Sequence, residues 1–515
     1  MHITHIVHRA LQLAPDEPVT VYGDRVRTAR EQADRVARLA GALRGEYGVR
    51  DGELVGMLAL GSDRYIEFFL AVAWANGVFH PVNPAWSTPE MIYALAESRT
   101  GVLFVDDAFL DRLPEIRAAC PDLREVVHVG DGPPPPGMTG FEELIARSEP
   151  VEDARRGGEA PAGVVYTSGT TGRAKGVLVS HAGLVHQALI LPARVPCHGM
   201  TGGRILITSN FSSISMLVTW LIQGMWGGVT VIPLSTGVDG LVDAIERHQV
   251  THAPFAPGTM QQIVDHPDIA ARDLSSMLSI AYGAAPITEA LLTRVMKAFP
   301  NAAFHQWYGM NEFGLATLLP PEDHVAGRKL RSAGRPALGA EVRIVDEEGA
   351  EAPRGEVGEI IVRTGAMMLG YLNKPEETAR TVRDGWVHTG DGGYLDEDGY
   401  LHIVDRFKDV INVDGWNVYS TEVEQAIAAH PAVAAVAVIG VPDDKPGERV
   451  HAVIVLKHGR TADEDDIRRH CEPLIAWKTP TSYEFVAALP LSNSGKVLKR
   501  RLREPHWAGR DRQVN

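Results

Sequence analysis

The sequence predicts an α/β protein: a long amino-terminal part on a largely parallel sheet, a smaller β-rich unit, then a compact α+β unit. Three observations carry this. The 515 residues amount to about three to four typical domains. From about residue 160 to 310, short apolar runs alternate with helical patterns, and such alternation implies parallel strands covered by helices on both faces. After residue 330 the runs alternate apolar and polar residues, as half-buried strands do.

In chain order, helices are expected near 29–45 and 65–76, with a strand from Gly101 to Val105. Asp131, Gly132 and the four prolines from Pro133 to Pro136 read as a stiff exposed connection. Strands are expected at Val164–Tyr166, Ile205–Ile207, Val229–Ile232 and Leu278–Ala281, with helices at 181–191, 214–226, 239–248 and 287–298. No charge occurs between Arg204 and Asp239. A membrane span needs about 20 predominantly apolar residues, and here Asn210, Gln223, Gly224, Gly227, Gly228 and Pro233 interrupt the run. A buried helix followed by a buried strand fits better. Strands at Glu341–Val345, Glu359–Val362 and Tyr400–Val404 make the β-rich unit. A boundary is expected near 406–409, dividing the chain into 1–406 and 407–515. Beyond it, Thr421 and Glu424 have the spacing of a capping box at a helix start. Strands at Val433–Ile439 and Val450–Val455, a helix at 463–471 and a basic end at 496–503 complete the unit.

Fifty Lys and Arg against 65 Asp and Glu leave a net charge of −15, which argues against a general nucleic-acid or anionic-membrane surface. Cys120, Cys197 and Cys471 lie far apart without CxxC spacing, so buried free thiols in a reducing compartment are expected. The amino terminus lacks the apolar core of a signal peptide. A cytoplasmic location with no membrane span follows.

The strongest chemical signal runs from Tyr166 through Thr167, Ser168, Gly169, Thr170, Thr171 and Gly172 to Lys175 and Gly176. It follows a strand and is expected to precede a helix. Hydroxyls, unhindered backbone N–H groups and one fixed cation suit a polyphosphate. The spacing is not that of a Walker-A loop, and no GxGxxG occurs. Downstream, Gly283, Ala284 and Ala285 end a strand with small side chains, leaving room for a flat group against the backbone. Gln306, Trp307, Tyr308, Gly309, Met310, Asn311 and Glu312 end another with aromatic rings and one carboxylate. Asp391 follows Gly390 and suits a ribose diol, while Arg406, Lys408 and Lys496 supply cations.

In this order the motifs resemble the adenylate-forming superfamily of acyl-CoA synthetases, peptide-synthetase adenylation domains and beetle luciferases. The resemblance runs from about residue 20 to 503. It implies a large domain of two α/β lobes plus a small β-unit, and a mobile C-terminal domain carrying a catalytic lysine. It further implies that the Thr167–Gly172 loop and Lys175 hold the β- and γ-phosphates, that Gly283, Ala284 and Ala285 wall the adenine, and that Tyr308 stacks on the base. Gln306, Trp307, Gly309 and Asn311 join the nucleotide set. By the same resemblance Glu312, assisted by Thr167, holds Mg²⁺, and Asp391 with Arg406 binds the ribose. Lys408 is the hinge residue, Asn417 belongs with the nucleotide-binding set, and Lys496 bridges the carboxylate and the α-phosphate. Phe211, Ser212, Ser215, Met310 and Phe313 are expected to line the acid pocket.

The implied reaction activates a carboxylic acid with ATP as an acyl-adenylate, releases pyrophosphate and passes the acyl group to coenzyme A. Three departures keep alternatives open. Asn311 stands where the family usually has threonine, and Ser212 cannot pair with the ammonium of an α-amino acid. Asp414, near the implied CoA tunnel, places a carboxylate there. Another acceptor (a carrier-protein thiol or an amine) or an unusual acid such as nitrite is the second reading, and a non-catalytic nucleotide-binding scaffold the third. Ser420, where proline is common, suggests an altered helix start.

Overall fold

A computed structural model describes residues 1–167, 174–195, 202–327, 329–413, 416–443, 447–491 and 497–508. Two large sheets organise the amino-terminal part. One has nine strands, and its parallel centre runs in the order Ala303–Met310, Ser279–Gly283, His252–Phe255, Arg204–Leu206, Val229–Ile232 and Pro18–Tyr22. The other has eight, with a parallel centre from Pro161–Thr167 through Val78–Pro81, Leu54–Leu58, Val102–Val105 and Glu125–His128 to Thr139–Gly140. Parallel neighbours need crossovers, and the helices of the alternating pattern supply them.

The two sheets share a core through the helices Asp63–Trp74 and Ile214–Trp226. The first is buried at every position, so its apolar residues, among them Phe68 and Phe69, each contribute about 1.5–3 kcal/mol of burial. Its charges survive there because they are paired: Arg35 donates to both oxygens of Glu67 at 2.6 and 2.8 Å, and Arg25 lies 2.9 Å from Asp63. The charge-free stretch folds as a helix and a strand, and Gly227 ends the helix at φ 79°, a left-handed cap that glycine adopts without strain. No described helix is long and apolar enough to cross a membrane.

The β-rich unit is an antiparallel sheet of Ala340–Val345, Gly358–Thr364, Trp386–Leu395 and Val382–Arg383, with Leu401–Arg406 paired to Trp386–Leu395. A small α/β unit follows. Its sheet joins Val433–Pro442, Glu448–Leu456 and Ser482–Phe485, and its apolar cluster runs from Ile411 to Tyr483. The structure is thus a mixed α/β protein with a large amino-terminal part and a small C-terminal one. Cys120 and Cys471 are buried free thiols; Cys197 lies outside the described residues.

Two local expectations need correction. The residues after the glycine-rich loop form a strand, Lys175–Ser180, before the helix His181–Arg194 begins. Val177 and Val179 bury one face of it, and it pairs antiparallel with Pro161–Thr167 and with Gly370–Tyr371. Pro161–Thr167 and Lys175–Ser180 are therefore consecutive strands paired antiparallel. The capping box at Thr421 does not form: the helix spans Ser420–Ala428, and its cap residue Tyr419 makes no side-chain bond. Glu424 instead accepts from the Val438 backbone and from Lys499.

Candidate active site

The candidate residues at Gly283 and at 306–310 lie at the ends of two adjacent parallel strands, the usual ligand side of an α/β sheet. Gly283 and Trp307 are register partners on adjacent strands. A Cβ on Gly283 would stand 2.3 Å from the Trp307 carbonyl oxygen, so only glycine lets the two backbones approach this closely. Ala284 follows at φ 67°, a left-handed conformation uncommon for alanine. Gly283 and Ala285 are half-buried and Ala284 is exposed. The strand Ala303–Met310 bulges between Tyr308 and Gly309, a distortion that re-aims side chains. Gln306 keeps a buried Oε1 without a hydrogen-bond partner.

Tyr308 donates its hydroxyl to Asp391 Oδ2 at 2.8 Å, and Asp391 Oδ1 lies 3.0 Å from Arg406 Nε. Strand register places Asp391 opposite Arg406. Burial, then the Asp391 charge, pushes the Tyr308 phenol well above its ordinary range, so it remains a donor. The carboxylate expected to bind a diol thus accepts from Tyr308 at Oδ2 and is ion-paired with Arg406 at Oδ1, which is buried without a hydrogen-bond partner. Asn311 lies half-buried in the turn that follows, next to Glu312.

Glu312 is 4 % exposed. Its Oε1 accepts from the Tyr371 hydroxyl at 2.8 Å, while its buried Oε2 has no hydrogen-bond partner. Tyr371, on the strand beside Lys175–Ser180, also carries Lys175 Nζ 4.9 Å from its ring centroid. Lys175 pairs with Glu377, and that bond holds the Glu377 carboxyl below its usual range. Lys175 is therefore not isolated, as its sequence setting suggests. Thr167 is its register partner on the paired strand. Ser168, Gly169, Thr170, Thr171 and Gly172 lie outside the described residues, as do Asp414 and Lys496.

The acid-pocket candidates divide. Phe211 is 1 % exposed and stacks on Tyr65 with ring centroids 5.2 Å apart, so it belongs to the shared core. Phe313 is fully buried among Ile344, Ile360 and Val362. Ser212 and Met310 are half-buried and Ser215 exposed, with Ser213 Oγ 2.7 Å from Ser215 Oγ.

The hinge segment is densely paired. Arg503 bonds Asp409 at 2.7 Å and the Lys408 carbonyl at 3.2 Å. Ser420 gives both its N–H and its hydroxyl to Asp405 Oδ2 at 2.6 Å, which is the structural use of serine at a position where proline is common. Lys499 bonds Ser420 and lies 2.7 Å from Glu424. Two of the basic tail's cations thus serve internal pairs. Asn417 is exposed on the short hairpin next to this segment. Tyr371 and Glu377 escaped the sequence reading, and Ser420 and Glu424 were read there only as helix-start residues, because each acquires its role from a partner elsewhere in the chain.

Burial, then the nearby Arg406 cation, brings the Lys408 amine down to about 8 from 10.5. Between those values the unfolded chain binds more protons than the folded one, so stability rises with pH across that window and is flat below it. Lys408→Met removes the rise, an effect of up to about 3 kcal/mol. Thermal melts of both proteins from pH 7 to 10 check this, and parallel pH curves would refute it.

Residues 7–372 match the AMP-binding enzyme family, and 422–496 match its AMP-binding enzyme C-terminal domain. The chain is 34 % identical over 511 residues to a fatty acid–[acyl-carrier-protein] ligase of Streptomyces coeruleorubidus, covering 98 % of this chain and 96 % of that one. It is 34 % identical over 497 residues to a feruloyl-CoA synthase of Amycolatopsis, covering 96 % and 97 %. Among solved structures, the amide bond synthetase of Marinactinospora thermotolerans superposes with a TM-score of 0.86 at 30 % identity, over 97 % of this chain and 99 % of that one. With both matches in the expected order, and relatives about a third identical over nearly the whole chain, the chain belongs to the AMP-binding enzyme family, the adenylate-forming superfamily.

Proposed function

We propose that this chain is an AMP-forming acid ligase that activates a carboxylic acid as its acyl-adenylate and then transfers the acyl group to coenzyme A. The observation that carries the reading is the buried Glu312 carboxylate four residues beyond Tyr308, one oxygen held by Tyr371 and the other without a hydrogen-bond partner. Gly283, Ala284 and Ala285, with their small side chains, take the adenine, and Asp391, fixed by Tyr308 and Arg406, accepts from a ribose diol. Lys175 and the hydroxyl-rich loop take the β- and γ-phosphates, for which Lys175 must leave Glu377. Lys496, with Lys408 at the hinge, completes the cationic set at the α-phosphate, where two anions must meet.

Glu312 Oε2 and Thr167 Oγ1 fit a hard cation such as Mg²⁺, because a buried carboxylate oxygen without a partner is the donor such an ion prefers. When bound, Mg²⁺ supplies charge neutralisation at the phosphates. The residues themselves place the carboxylate nucleophile, hold the nucleotide and keep water from the mixed anhydride.

A second acceptor is favoured by specific observations. Relatives of similar identity include a carrier-protein ligase and an amide bond synthetase, and Asp414 and Ser212 depart from the acid–CoA ligase pattern. Mass spectrometry of the products formed from Mg-ATP and a pooled acid library, with and without CoA, separates the cases. A CoA-thioester supports the first reading. An adenylate that turns over only with an amine or a carrier thiol supports the second, and absence of any acid-dependent adenylate overturns both.

A further inference from the structure

Three side chains unrelated to the nucleotide chemistry converge on the C-terminal sheet. His451 lies on the strand Glu448–Leu456, Glu484 on its parallel neighbour Ser482–Phe485, and His506 just beyond the helix Lys499–Arg503. Register pairs His451 with Ser482, and alternate residues share a face, so Glu484 projects from the same side as His451. One ligand atom from each of the three lies within 4.8 Å of the others. His451 Nε2 is 3.8 Å from Glu484 Oε2, and the two imidazole centroids are 4.9 Å apart.

His451 is the decisive residue. It is 5 % exposed. Its Nδ1 bonds Ser482 Oγ at 2.9 Å, while its buried Nε2 has no hydrogen-bond partner. In the tautomer where Nδ1 donates to Ser482, Nε2 presents a lone pair toward Glu484 and His506. Such an outer bond orients metal-binding histidines, and a buried ring nitrogen is costly to leave unsatisfied.

We propose that His451, Glu484 and His506 bind a divalent transition metal of the zinc type. Two imidazoles and a carboxylate suit Zn²⁺, Co²⁺ or Ni²⁺, whereas Mg²⁺ prefers oxygen ligands alone. A tetrahedral ion with bonds of about 2.0–2.1 Å draws its ligands to roughly 3.3 Å from one another. The half-exposed Glu484 side chain, at 52 %, has the freedom to close that gap. Three protein ligands leave one position for water. The ion ties the tail that follows Lys496 to the sheet, adding to the bond from Trp507 Nε1 to the Gly440 carbonyl at 3.1 Å.

The test is titration of the tag-free, chelator-stripped full chain with Co²⁺, then Zn²⁺. One equivalent of Co²⁺ binds with a visible d–d absorption that Zn²⁺ abolishes. His506→Ala, a half-buried position near the chain end, weakens binding at least about tenfold, and Glu484→Gln weakens it as well. No absorption change on adding Co²⁺ overturns the proposal. So does unchanged affinity in His506→Ala, which would assign the signal to the amino-terminal imidazoles His2, His5 and His8.

Discussion

Lys496→Ala lowers acid-dependent pyrophosphate exchange by roughly 10²–10³ yet leaves thioester formation from supplied acyl-adenylate near the wild-type rate. The asymmetry follows from electrostatics. Adenylate formation brings a carboxylate against the α-phosphate, and a cation bridging both is worth most at the transition state, where their charges meet. Thioester formation attacks a carbonyl whose leaving group is already AMP, so the same cation is no longer required there. Equal loss of both steps would refute the assigned role and point to a general folding defect. A thermal melt of the variant separates these outcomes.

Glu312→Gln also loses roughly 10²–10³ in adenylation rate, and the loss is not rescued by raising ATP. Glutamine keeps an acceptor for the Tyr371 hydroxyl, so the local packing persists, but it removes the negative charge of a carboxylate whose second oxygen has no hydrogen-bond partner. The expected signature is weakened dependence on Mg²⁺ together with an unchanged melting temperature. A variant that retains wild-type activity at saturating Mg-ATP would remove Glu312 from the metal-binding set. Tyr371→Phe gives the complementary measurement: Glu312 then carries two unsatisfied oxygens, and the cost falls on stability as well as rate.

Much of the fold was legible because its signals are local. The helix expected at 214–226 occupies Ile214–Trp226, and the strand at Val229–Ile232 is found there, since a charge-free, largely apolar run closed by a glycine pair specifies both within a few turns. The strand at Lys175–Ser180 was not legible. A six-residue strand directly before a helix has no room to show its own period, and its identity depends on the strands Pro161–Thr167 and Gly370–Tyr371 that flank it. Thr421 and Glu424 failed as a capping box for a related reason: Lys499 and the Val438 backbone claim the glutamate.

The candidate site divides in the same way. Motif residues such as Gly283, Tyr308, Glu312 and Asp391 stand out within short windows of sequence, and the family follows from their order. Their partners do not. Asp391 is 83 positions from Tyr308, Tyr371 is 59 from Glu312, and Glu377 meets Lys175 only after the two segments fold together.

A chain of net charge −15 therefore announced by itself its α/β class, its order of elements and its membership among adenylate-forming enzymes. Those properties reside in residue type and spacing. Tertiary structure alone decided which charges meet, which carboxylate oxygen stays unpaired, and that two histidines and a glutamate share one corner of the C-terminal sheet. Pairing over such distances is set by strand register and packing, and neither is written in any one stretch of the chain.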